Sequence, residues 1–321
     1  MAASESQLIE RYFRELGASR EDTVLGIGDD AALLRVPGDS ELALTTDALV
    51  EGVHFLAGAP ARALGQRALA VNLSDIAAMG ASPSWALLSL NLPAADEDWL
   101  REFSAGFGSL ARSHGVALVG GNLSRGALSM TVALAGLVPK GQALRRDRAR
   151  PGDALYLSGS VGDAACGLKL LQGEARAAPA EAAYLQQRFE CPTPRIALGQ
   201  GLRGIASACI DVSDGVYIDA LRLLAASGCA ATVEIERLPL SAPLRHVLGD
   251  RAWQAGLCGG EDYELCFTAA PAQAAAVAAL AARTGQPVTR IGALHSGNGL
   301  TLTAAGSVMQ FSPSGFDHFA D

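Results

Sequence analysis

Four short acidic clusters are spread along this chain, and each places carboxylates beside small or hydroxyl side chains at the edge of an apolar run. The clusters are Gly28-Asp29-Asp30, Thr45-Thr46-Asp47, Asn72-Leu73-Ser74-Asp75 and Asp211-Val212-Ser213-Asp214. Carboxylate and hydroxyl oxygens are hard ligands that suit Mg²⁺, an ion that reaches proteins through a few carboxylates and through substrate phosphates. The clusters therefore indicate a phosphate substrate that is held through metal ions rather than through basic side chains.

The first cluster lies in a glycine-rich stretch, residues 26–31 (Gly-Ile-Gly-Asp-Asp-Ala), which partly matches a dinucleotide-binding pattern. Asp29 and Asp30 stand where backbone amides would have to meet a pyrophosphate, and they would repel it unless a cation lay between. Metal ligation is therefore the favoured interpretation, and a plain acidic turn is the alternative.

The second cluster ends a strand in this prediction, and His54 follows Asp47 seven residues later. Ligand residues are common where a strand runs into a hydroxyl-rich loop. Taken singly, a Thr-Thr-Asp sequence is more often a turn, and a lone histidine more often makes a structural hydrogen bond. The functional interpretation rests on the other clusters nearby.

Two clusters in the second half also favour a site. Asp211 and Asp214 flank a turn between a strand and a helix, where they suit metal ions, although Ser213 or Asp214 would also cap that helix. Residues 259–264 (Gly-Gly-Glu-Asp-Tyr-Glu) place three acids directly before an apolar strand. Because those charges repel one another, stability alone does not explain them.

Several common catalytic motifs are absent from the sequence. It contains no G-x-x-x-x-G-K-[ST] phosphate loop, no H-R-D or D-F-G pair of a protein kinase, and no G-x-S-x-G of a serine hydrolase. If the protein is an enzyme that transfers phosphate, it therefore uses acidic residues and metal ions, unlike the P-loop kinases and the protein kinases.

Composition excludes several classes of partner. The 321 residues are 50% hydrophobic with a net charge of −8, and Lys140 and Lys169 are the only lysines. Binding to a nucleic-acid backbone needs clustered Lys and Arg, so nucleic acid is not an expected partner. The six cysteines form no C-x-x-C pair, which predicts free thiols in a reducing compartment rather than a zinc site or disulfides.

No targeting or membrane segment is expected. Residues 1–16 are polar and amphipathic, without the apolar stretch of a signal peptide. The longest alanine-rich run, residues 274–282, is far shorter than the ~20 residues that span a bilayer. These features predict a cytoplasmic protein that binds no membrane.

Apolar periodicity and turn residues predict mixed helices and strands in both halves of the chain. The spacing in residues 61–79 predicts a helix that carries Asn72 and Asp75 on one face. Helices are also predicted over residues 5–16, 96–114, 162–171, 194–201, 217–227 and 271–283, and strands over 42–45, 85–92, 116–119, 129–138, 154–158, 206–210, 231–235 and 264–268.

The length predicts two domains, because single cores typically stop growing at ~250–300 residues. The densest charge run, residues 145–153 (Arg-Arg-Asp-Arg-Ala-Arg-Pro-Gly-Asp), is the predicted boundary. We therefore expect domains over residues 1–148 and 149–321, each of the α/β or α+β class.

The ordered set of motifs resembles the thiamine-monophosphate kinase family, within the superfamily of aminoimidazole ribonucleotide synthetase. The resemblance extends from about Gly26 to Phe319 and is carried by G-I-G-D-D-A-A, T-T-D-A-L-V-E-G-V-H-F, N-L-S-D-I-A-A-M-G-A, G-G-N-L-S-R-G, R-x-x-A-R-P-G-D, D-V-S-D-G, G-G-E-D-Y-E-L and G-F-D-H-F. Each motif is weak alone, but the set in this order is specific.

The resemblance implies ATP-dependent phosphorylation of thiamine monophosphate to thiamine diphosphate, with ATP as co-substrate and several Mg²⁺ ions. It implies a homodimer in which the N-terminal sheets of two copies pair, and an N-terminal ATP- and Mg²⁺-binding domain whose active site a C-terminal α/β domain completes. The implied metal ligands are Asp30, Thr45, Thr46, Asp47, Asp75, Asn122, Asp211 and Asp214. The implied nucleotide contacts are Gly121, Asn122, Arg146 and Ser213, and the implied thiamine-phosphate contacts are His54, Glu261 and Phe316. No covalent catalytic residue is implied, since transfer requires positioning and metal assistance.

The chain departs from the family pattern in two motifs. The family usually has G-G-D-T-T-R where this chain has G-G-N-L-S-R, so Asn122 replaces a metal-binding aspartate. Phe316 replaces the common Trp or Tyr. Two alternatives follow: another ATP-dependent enzyme of the superfamily, of the ribonucleotide synthetase type, and a nucleotide-binding regulator with weakened catalysis. The H-F after the second cluster and the terminal G-F-D-H-F favour the thiamine branch.

Overall fold

The computed structural model describes residues 4–311 and divides them into two units. Unit 1 comprises the residues up to Ile76 together with Ala81–Gly141, and unit 2 comprises Ala77–Gly80 together with the residues from Gln142 onward. Among the residues described, no helix has the length and apolar character needed to cross a membrane. The six cysteines, all within the described residues, are present as thiols.

Unit 1 is built on a four-stranded sheet with helices on one face. Its strands lie in the order β3-β6-β4-β5; β6 is antiparallel to β3 and β4, and β5 is parallel to β4. The elements in chain order are α1 (Glu5–Tyr12), β1 (Thr23–Leu25), β2 (Leu33–Leu34), β3 (Ser40–Val50), α2 (Ala61–Ala78), β4 (Ser82–Leu92), α3 (Glu97–Ser113), β5 (Ala117–Arg125) and β6 (Ser129–Pro139).

Helix α3 shows why these sequences form these elements. Asp96 caps it by accepting hydrogen bonds from the backbone N–H groups of Asp98 and Trp99, each at 3.0 Å. Leu100, Phe103, Phe107 and Ala111 recur at helical spacing and are buried. The apolar stripe thus fixes which face of the helix packs inward.

Glycines allow α2 and α3 to approach closely. A Cβ on Gly65 would lie 2.0 Å from the carbonyl oxygen of Phe103, and one on Gly106 would lie 2.0 Å from that of Arg62. Leu69, on the inner face of α2, is fully buried. This close packing holds α2, which carries two of the sequence-predicted site residues, at a fixed distance from the core.

Unit 2 contains a seven-stranded sheet in the order β13-β12-β9-β11-β7-β10-β8. Its elements are β7 (Ala154–Ser158), α4 (Asp163–Leu171), α5 (Pro179–Glu190), α6 (Ile196–Leu202), β8 (Ala208–Val212), α7 (Val216–Ser227), β9 (Cys229–Glu234), α8 (Ala242–Leu248), α9 (Ala252–Cys258), β10 (Glu264–Ala269), α10 (Ala274–Thr284), β11 (Val288–Ser296), β12 (Gly299–Ala304) and β13 (Ser307–Val308). The main core lies between this sheet and α7 and includes Leu157, Val212, Leu223, Leu224 and Val233.

The mixed α/β class predicted for both halves is confirmed, but several strand ends were wrong. Thr45, Thr46 and Asp47 lie within β3 instead of ending it, because β3 pairs with β6 along all eleven residues. Asn122 lies within β5, which runs alongside β4 to Arg125. Asp211 lies within β8, where it pairs with Leu265 of β10. In each case pairing with a neighbouring strand extends the strand through polar residues that a sequence pattern assigns to a loop.

Candidate active site

In unit 1, strand β3 and helix α2 bring Thr45 and Asp75 together. The Thr45 hydroxyl donates a hydrogen bond to the Asp75 carboxylate. Side chains alternate between the faces of a strand, so Asp47 shares the face of Thr45, toward the helix layer. Asn72 lies one turn before Asp75 and is fully buried; its amide nitrogen donates to the Ala68 carbonyl at 3.1 Å, while its Oδ1 accepts no hydrogen bond. Oxygen donors of the second and third clusters therefore lie side by side.

The same alternation separates Thr46 from its two neighbours. Its side chain lies on the opposite face of the sheet, where its hydroxyl donates to the Val132 carbonyl at 3.1 Å. The three members of the second cluster thus do not present their side chains to one point.

Asp30, Gly121 and Asn122 line a single cavity of about 850 Å³, which is also lined by Leu44 and Leu87 of the sheet and by Ile9 of α1. Gly121 is required where β5 passes β4, because a Cβ there would lie 1.9 Å from the Leu88 carbonyl oxygen. The Asn122 amide nitrogen lies 3.5 Å from the Ser124 hydroxyl. The first cluster and the glycine-asparagine motif therefore line the same cavity.

The ring of His54 is oriented by the backbone. Its Nδ1 accepts a hydrogen bond from the Val50 N–H at 3.1 Å. An Nδ1 that accepts carries no proton, so the neutral ring holds its proton on Nε2. His54 can therefore donate a hydrogen bond through Nε2.

In unit 2, the loop after β8 is organised from within α7. Asp219 Oδ2 accepts the backbone N–H groups of Ser213, Asp214 and Gly215 at 3.0, 2.9 and 3.2 Å. Arg222 Nη1 donates to Asp219 Oδ1 at 2.8 Å and also to the Asp214 carboxylate. The alternative that Ser213 or Asp214 caps this helix is wrong, because Gly215 is the N-cap and makes no side-chain cap hydrogen bond.

Glu261 lies on a loop with an unusual backbone. Glu261 and Tyr263 have φ values of 71° and 51°, in the left-handed region that costs a non-glycine residue energy. Two backbone hydrogen bonds hold them: Glu261 N–H to the Ser213 carbonyl at 2.7 Å, and Tyr263 N–H to the Val212 carbonyl at 2.9 Å. The Tyr263 hydroxyl donates to the Glu261 carboxylate at 2.8 Å. This loop and the Asp211–Asp214 segment are therefore one connected structure.

Buried acids anchor both ends of the Glu261 loop. Asp262 accepts the Gly162 N–H at 2.6 Å and the Ala164 N–H at 3.2 Å at the start of α4, and burial raises its pKa to about 8. Burial by itself would also raise the pKa of Glu264, but the guanidinium groups of Arg195 and Arg188 outweigh it, so this pKa lies below its ordinary value.

Two sequence-predicted residues remain, Arg146 and Phe316. Arg146 begins a short 3-10 helix (Arg146–Arg148) and is exposed; its carbonyl accepts a hydrogen bond from the Ser227 hydroxyl at 2.6 Å. Phe316 lies outside the described residues.

Family models and a full-length relative identify the chain. Residues 28–138 match the AIR synthase related protein N-terminal domain, and residues 150–305 match the C-terminal domain of the same family. The thiamine-monophosphate kinase of Salmonella typhimurium is 46% identical, covering 100% of this chain and 99% of that protein. The chain belongs to the thiamine-monophosphate kinase family.

Two solved structures of this family show the same fold. The thiamine-monophosphate kinase of Stenotrophomonas maltophilia is 47% identical with a TM-score of 0.85, over 91% of this chain and 93% of that one. AaThiL complexed with AMPPCP and TMP is 34% identical with a TM-score of 0.79, over 88% of this chain and 89% of that one.

The side chains of this thiamine-monophosphate kinase family member suit Mg²⁺. The donors are carboxylate, hydroxyl and amide oxygens, the kind of ligand that Mg²⁺ takes, and the buried Asn72 Oδ1 has a lone pair that no protein group uses. Within residues 4–311, no three His, Cys, Asp or Glu side chains are grouped as a metal site. The residues that fit the ion are therefore hydroxyl and amide donors as well as acids.

Sequence reasoning missed Asp219 as a functional residue. It treated the position as part of an ordinary helix, although an aspartate in the first turn of a helix, five residues after Asp214, is a usable signal for a side chain that reaches back to the preceding loop. Arg222 gave no comparable signal, because only the packed helix places it against Asp214.

Proposed function

We propose that the protein transfers the γ-phosphoryl group of ATP to thiamine monophosphate and releases thiamine diphosphate and ADP. The observation that carries the proposal is the match over the whole chain to curated thiamine-monophosphate kinases. A structure of 34% identity, named as complexed with AMPPCP and TMP, supports the choice of both substrates.

The reaction needs no general base. A phosphate oxygen of thiamine monophosphate attacks the γ-phosphorus, a new P–O bond forms, and the bond between the γ-phosphorus and the β,γ-bridging oxygen breaks, leaving ADP. The attacking oxygen is already ionised at neutral pH, so no proton has to be removed. Catalysis is then positioning plus neutralisation of charge. This accounts for a site with many acids and no catalytic nucleophile.

Bound Mg²⁺ supplies positive charge to the transferring phosphates. Asp30, Thr45, Thr46, Asp47, Asp75, Asn122, Asp211 and Asp214 are the residues that we expect to hold it. Thr45 and Asp75 are joined by a hydrogen bond, which supports a common role for these two. For Thr46 the hydroxyl faces the other side of the sheet, so its contribution would come through the backbone.

The chain's own groups have separate roles in this proposal. Gly121 and Asn122 on β5 contact the nucleotide. Arg146 and Ser213 contact the phosphates of the nucleotide. The guanidinium of Arg146 suits this role because it can donate two parallel hydrogen bonds to a phosphate.

The thiamine phosphate is bound by other groups. His54 donates through Nε2, which its Nδ1 hydrogen bond to Val50 leaves protonated. Glu261 and the ring of Phe316 bind the thiamine part.

We also propose a homodimer formed through the open face of the unit 1 sheet. Leu44 is 72% exposed and Leu87 is 46% exposed, and both line the 850 Å³ cavity together with Leu42, Ala133 and Ala135. A contiguous apolar face of this kind typically marks an interaction site. A second copy that presents the same face would cover it.

The six cysteine thiols support a reducing compartment, and we propose that the protein is cytoplasmic.

The proposal is tested by chromatography of thiamine diphosphate formed from ATP, Mg²⁺ and thiamine monophosphate. Asp47→Ala and Asp75→Ala should each abolish turnover and leave the circular dichroism spectrum unchanged. Asp98→Ala is the matched control, because Asp98 is 85% exposed and pairs only with its helix neighbour Arg101 in the ion pairs of the described residues. Normal turnover by either active-site variant would contradict the metal assignment. ATP binding without any thiamine diphosphate in the parent protein would favour a regulator.

A further inference from the structure

A buried carboxylate holds the backbone of the loop that follows β8. Asp219 is only 1% exposed, and one of its oxygens accepts the N–H groups of Ser213, Asp214 and Gly215. A carboxylate with three such donors fixes the direction of each peptide in the turn. Gly215 contributes by its φ of 116°, which a side chain would strain.

Arg222 links that carboxylate to Asp214. Its Nη1 donates to Asp219 Oδ1 at 2.8 Å and to Asp214 Oδ2, so one nitrogen bridges two acids. Arg222 and Asp214 are 47% and 30% exposed, whereas Asp219 is nearly inaccessible. The exposed half of this bridge is therefore the bond to Asp214, and the protected half is the bond to Asp219.

The arrangement has a consequence for any cation that uses Asp214. The guanidinium occupies an oxygen of that carboxylate, and it cannot lose its charge at physiological pH. A divalent cation that binds this carboxylate must therefore displace the guanidinium or share the carboxylate with it. The positive charges of the cation and the guanidinium repel each other. The second hydrogen bond of Arg222, to the buried Asp219, does not involve the Asp214 carboxylate.

We propose that Asp219 and Arg222 set the metal affinity of the Asp211–Asp214 segment. Asp219 is a positioning residue that holds the backbone of the segment, and Arg222 competes with the divalent cation for the Asp214 carboxylate. The proposal rests on the proposed function, in which Asp214 is a metal ligand. Because the Ser213 carbonyl also accepts the Glu261 N–H at 2.7 Å, the same carboxylate acts on the loop that holds Glu261.

The test is a titration of the purified full-length protein with Mn²⁺, with free Mn²⁺ measured by electron paramagnetic resonance, alone and with AMPPCP. Arg222→Met removes the charge and keeps a side chain of comparable length. It should bind Mn²⁺ about fivefold more tightly, which corresponds to a partly exposed ion pair. Arg237→Met is the matched control: Arg237 is 53% exposed and pairs with Glu234 three residues away, so Mn²⁺ affinity should not change.

Two variants of Asp219 separate positioning from simple loss of stability. Asp219→Asn keeps an oxygen that can accept the loop N–H groups, whereas Asp219→Ala removes it. We expect Mn²⁺ affinity to fall about tenfold or more in the alanine variant, and to recover toward the parent value in the asparagine variant. The KM for ATP at fixed Mg²⁺ should rise in the alanine variant more than kcat falls.

The outcomes are distinguishable. Unchanged or weaker Mn²⁺ binding in Arg222→Met would overturn the competition, and unchanged binding in Asp219→Ala would overturn the positioning role. Asp214→Asn is the reference variant: if it leaves Mn²⁺ binding unaffected, Asp214 is not a ligand and this inference fails. Formation of thiamine diphosphate by the parent protein would still support the kinase in each of these cases.

Discussion

Glu264 is the buried acid whose removal should damage unit 2 most. It begins β10, immediately after the Glu261 loop, and is fully buried. Its carboxylate accepts hydrogen bonds from Arg195 Nε at 2.7 Å, Arg188 Nη2 at 2.9 Å and the Ser158 hydroxyl at 2.6 Å. Glu264→Gln preserves the size of the side chain, but it leaves two nearly buried guanidinium groups without this negative charge.

The cost follows from the burial of the arginines. The side chains of Arg188 and Arg195 are only 12% and 10% exposed, so water replaces little of the lost interaction. Removing one partner of a buried ion pair costs about 3–5 kcal/mol. We expect about 3 kcal/mol for glutamine, because its carbonyl oxygen still accepts one hydrogen bond.

Hydrogen–deuterium exchange measures this cost in unit 2 separately from unit 1. A loss of about 3 kcal/mol corresponds to about a hundredfold faster exchange of the β7 and β10 amides. Peptides from β4 in unit 1 serve as the internal reference. Glu234→Gln is the control variant, since Glu234 is 47% exposed in a surface pair with Arg237 and should change exchange little. If exchange of the β7 and β10 amides is less than about fivefold faster in Glu264→Gln, the ion pairs of Glu264 do not stabilise unit 2 as argued here.

Three further predictions concern charge, assembly and pH. Asn122→Asp adds a negative charge beside Asp30 in the cavity, so the Mg²⁺ concentration for half-maximal turnover should fall about threefold to tenfold; steady-state kinetics measures it. Leu44→Glu places a charge on the exposed sheet face, and sedimentation velocity should then show a monomer. Burial raises the pKa of Asp262 to about 8, so the folded state binds one more proton than the unfolded state between about pH 4 and 8. The contribution of Asp262 to the free energy of unfolding should therefore be greatest below about pH 4 and should fall with rising pH by at most about 1.4 kcal/mol per unit up to pH 8, and Asp262→Asn should remove this contribution in urea titrations at several pH values.

Each of these has a contrary result and a control. An unchanged or higher Mg²⁺ requirement in Asn122→Asp would mean that the position holds no metal. Val308→Glu, at a residue 66% exposed in unit 2, is the control for Leu44→Glu. A dimer that persists in Leu44→Glu would place the interface elsewhere. An identical pH slope in Asp262→Asn and the parent protein would contradict the buried-acid assignment.

Helix α2 is an element that the sequence predicted closely. Its apolar spacing predicted a helix over 61–79, and the structure has Ala61–Ala78. Periodicity sufficed there because each turn of the helix packs one face inward. The proximity of Asn72 and Asp75 on that helix followed from the same period.

Strand ends were harder to predict, for a physical reason. Residues such as Thr46 and Asn122 are polar, and only a neighbouring strand decides whether their backbone is paired. Had β3 been predicted at full length, its alternation would have placed Thr45 and Thr46 on opposite faces.

Long-range side-chain contacts were out of reach of the sequence. The bonds from Asp219 to the loop before α7 depend on the turn geometry, and the contact of Glu264 with Arg188 joins residues 76 positions apart. No local pattern specifies such a pair. The acids of the site were therefore predictable by type, and the groups that hold them were not.

The most direct test of the proposed function follows the phosphoryl group itself. Purified protein is incubated with Mg²⁺, thiamine monophosphate and ATP labelled in its γ-phosphate, and the products are separated by chromatography. We expect the label in thiamine diphosphate, in an amount equal to the ADP formed. Label released only as inorganic phosphate, or ADP without labelled thiamine diphosphate, would contradict direct transfer between the two substrates.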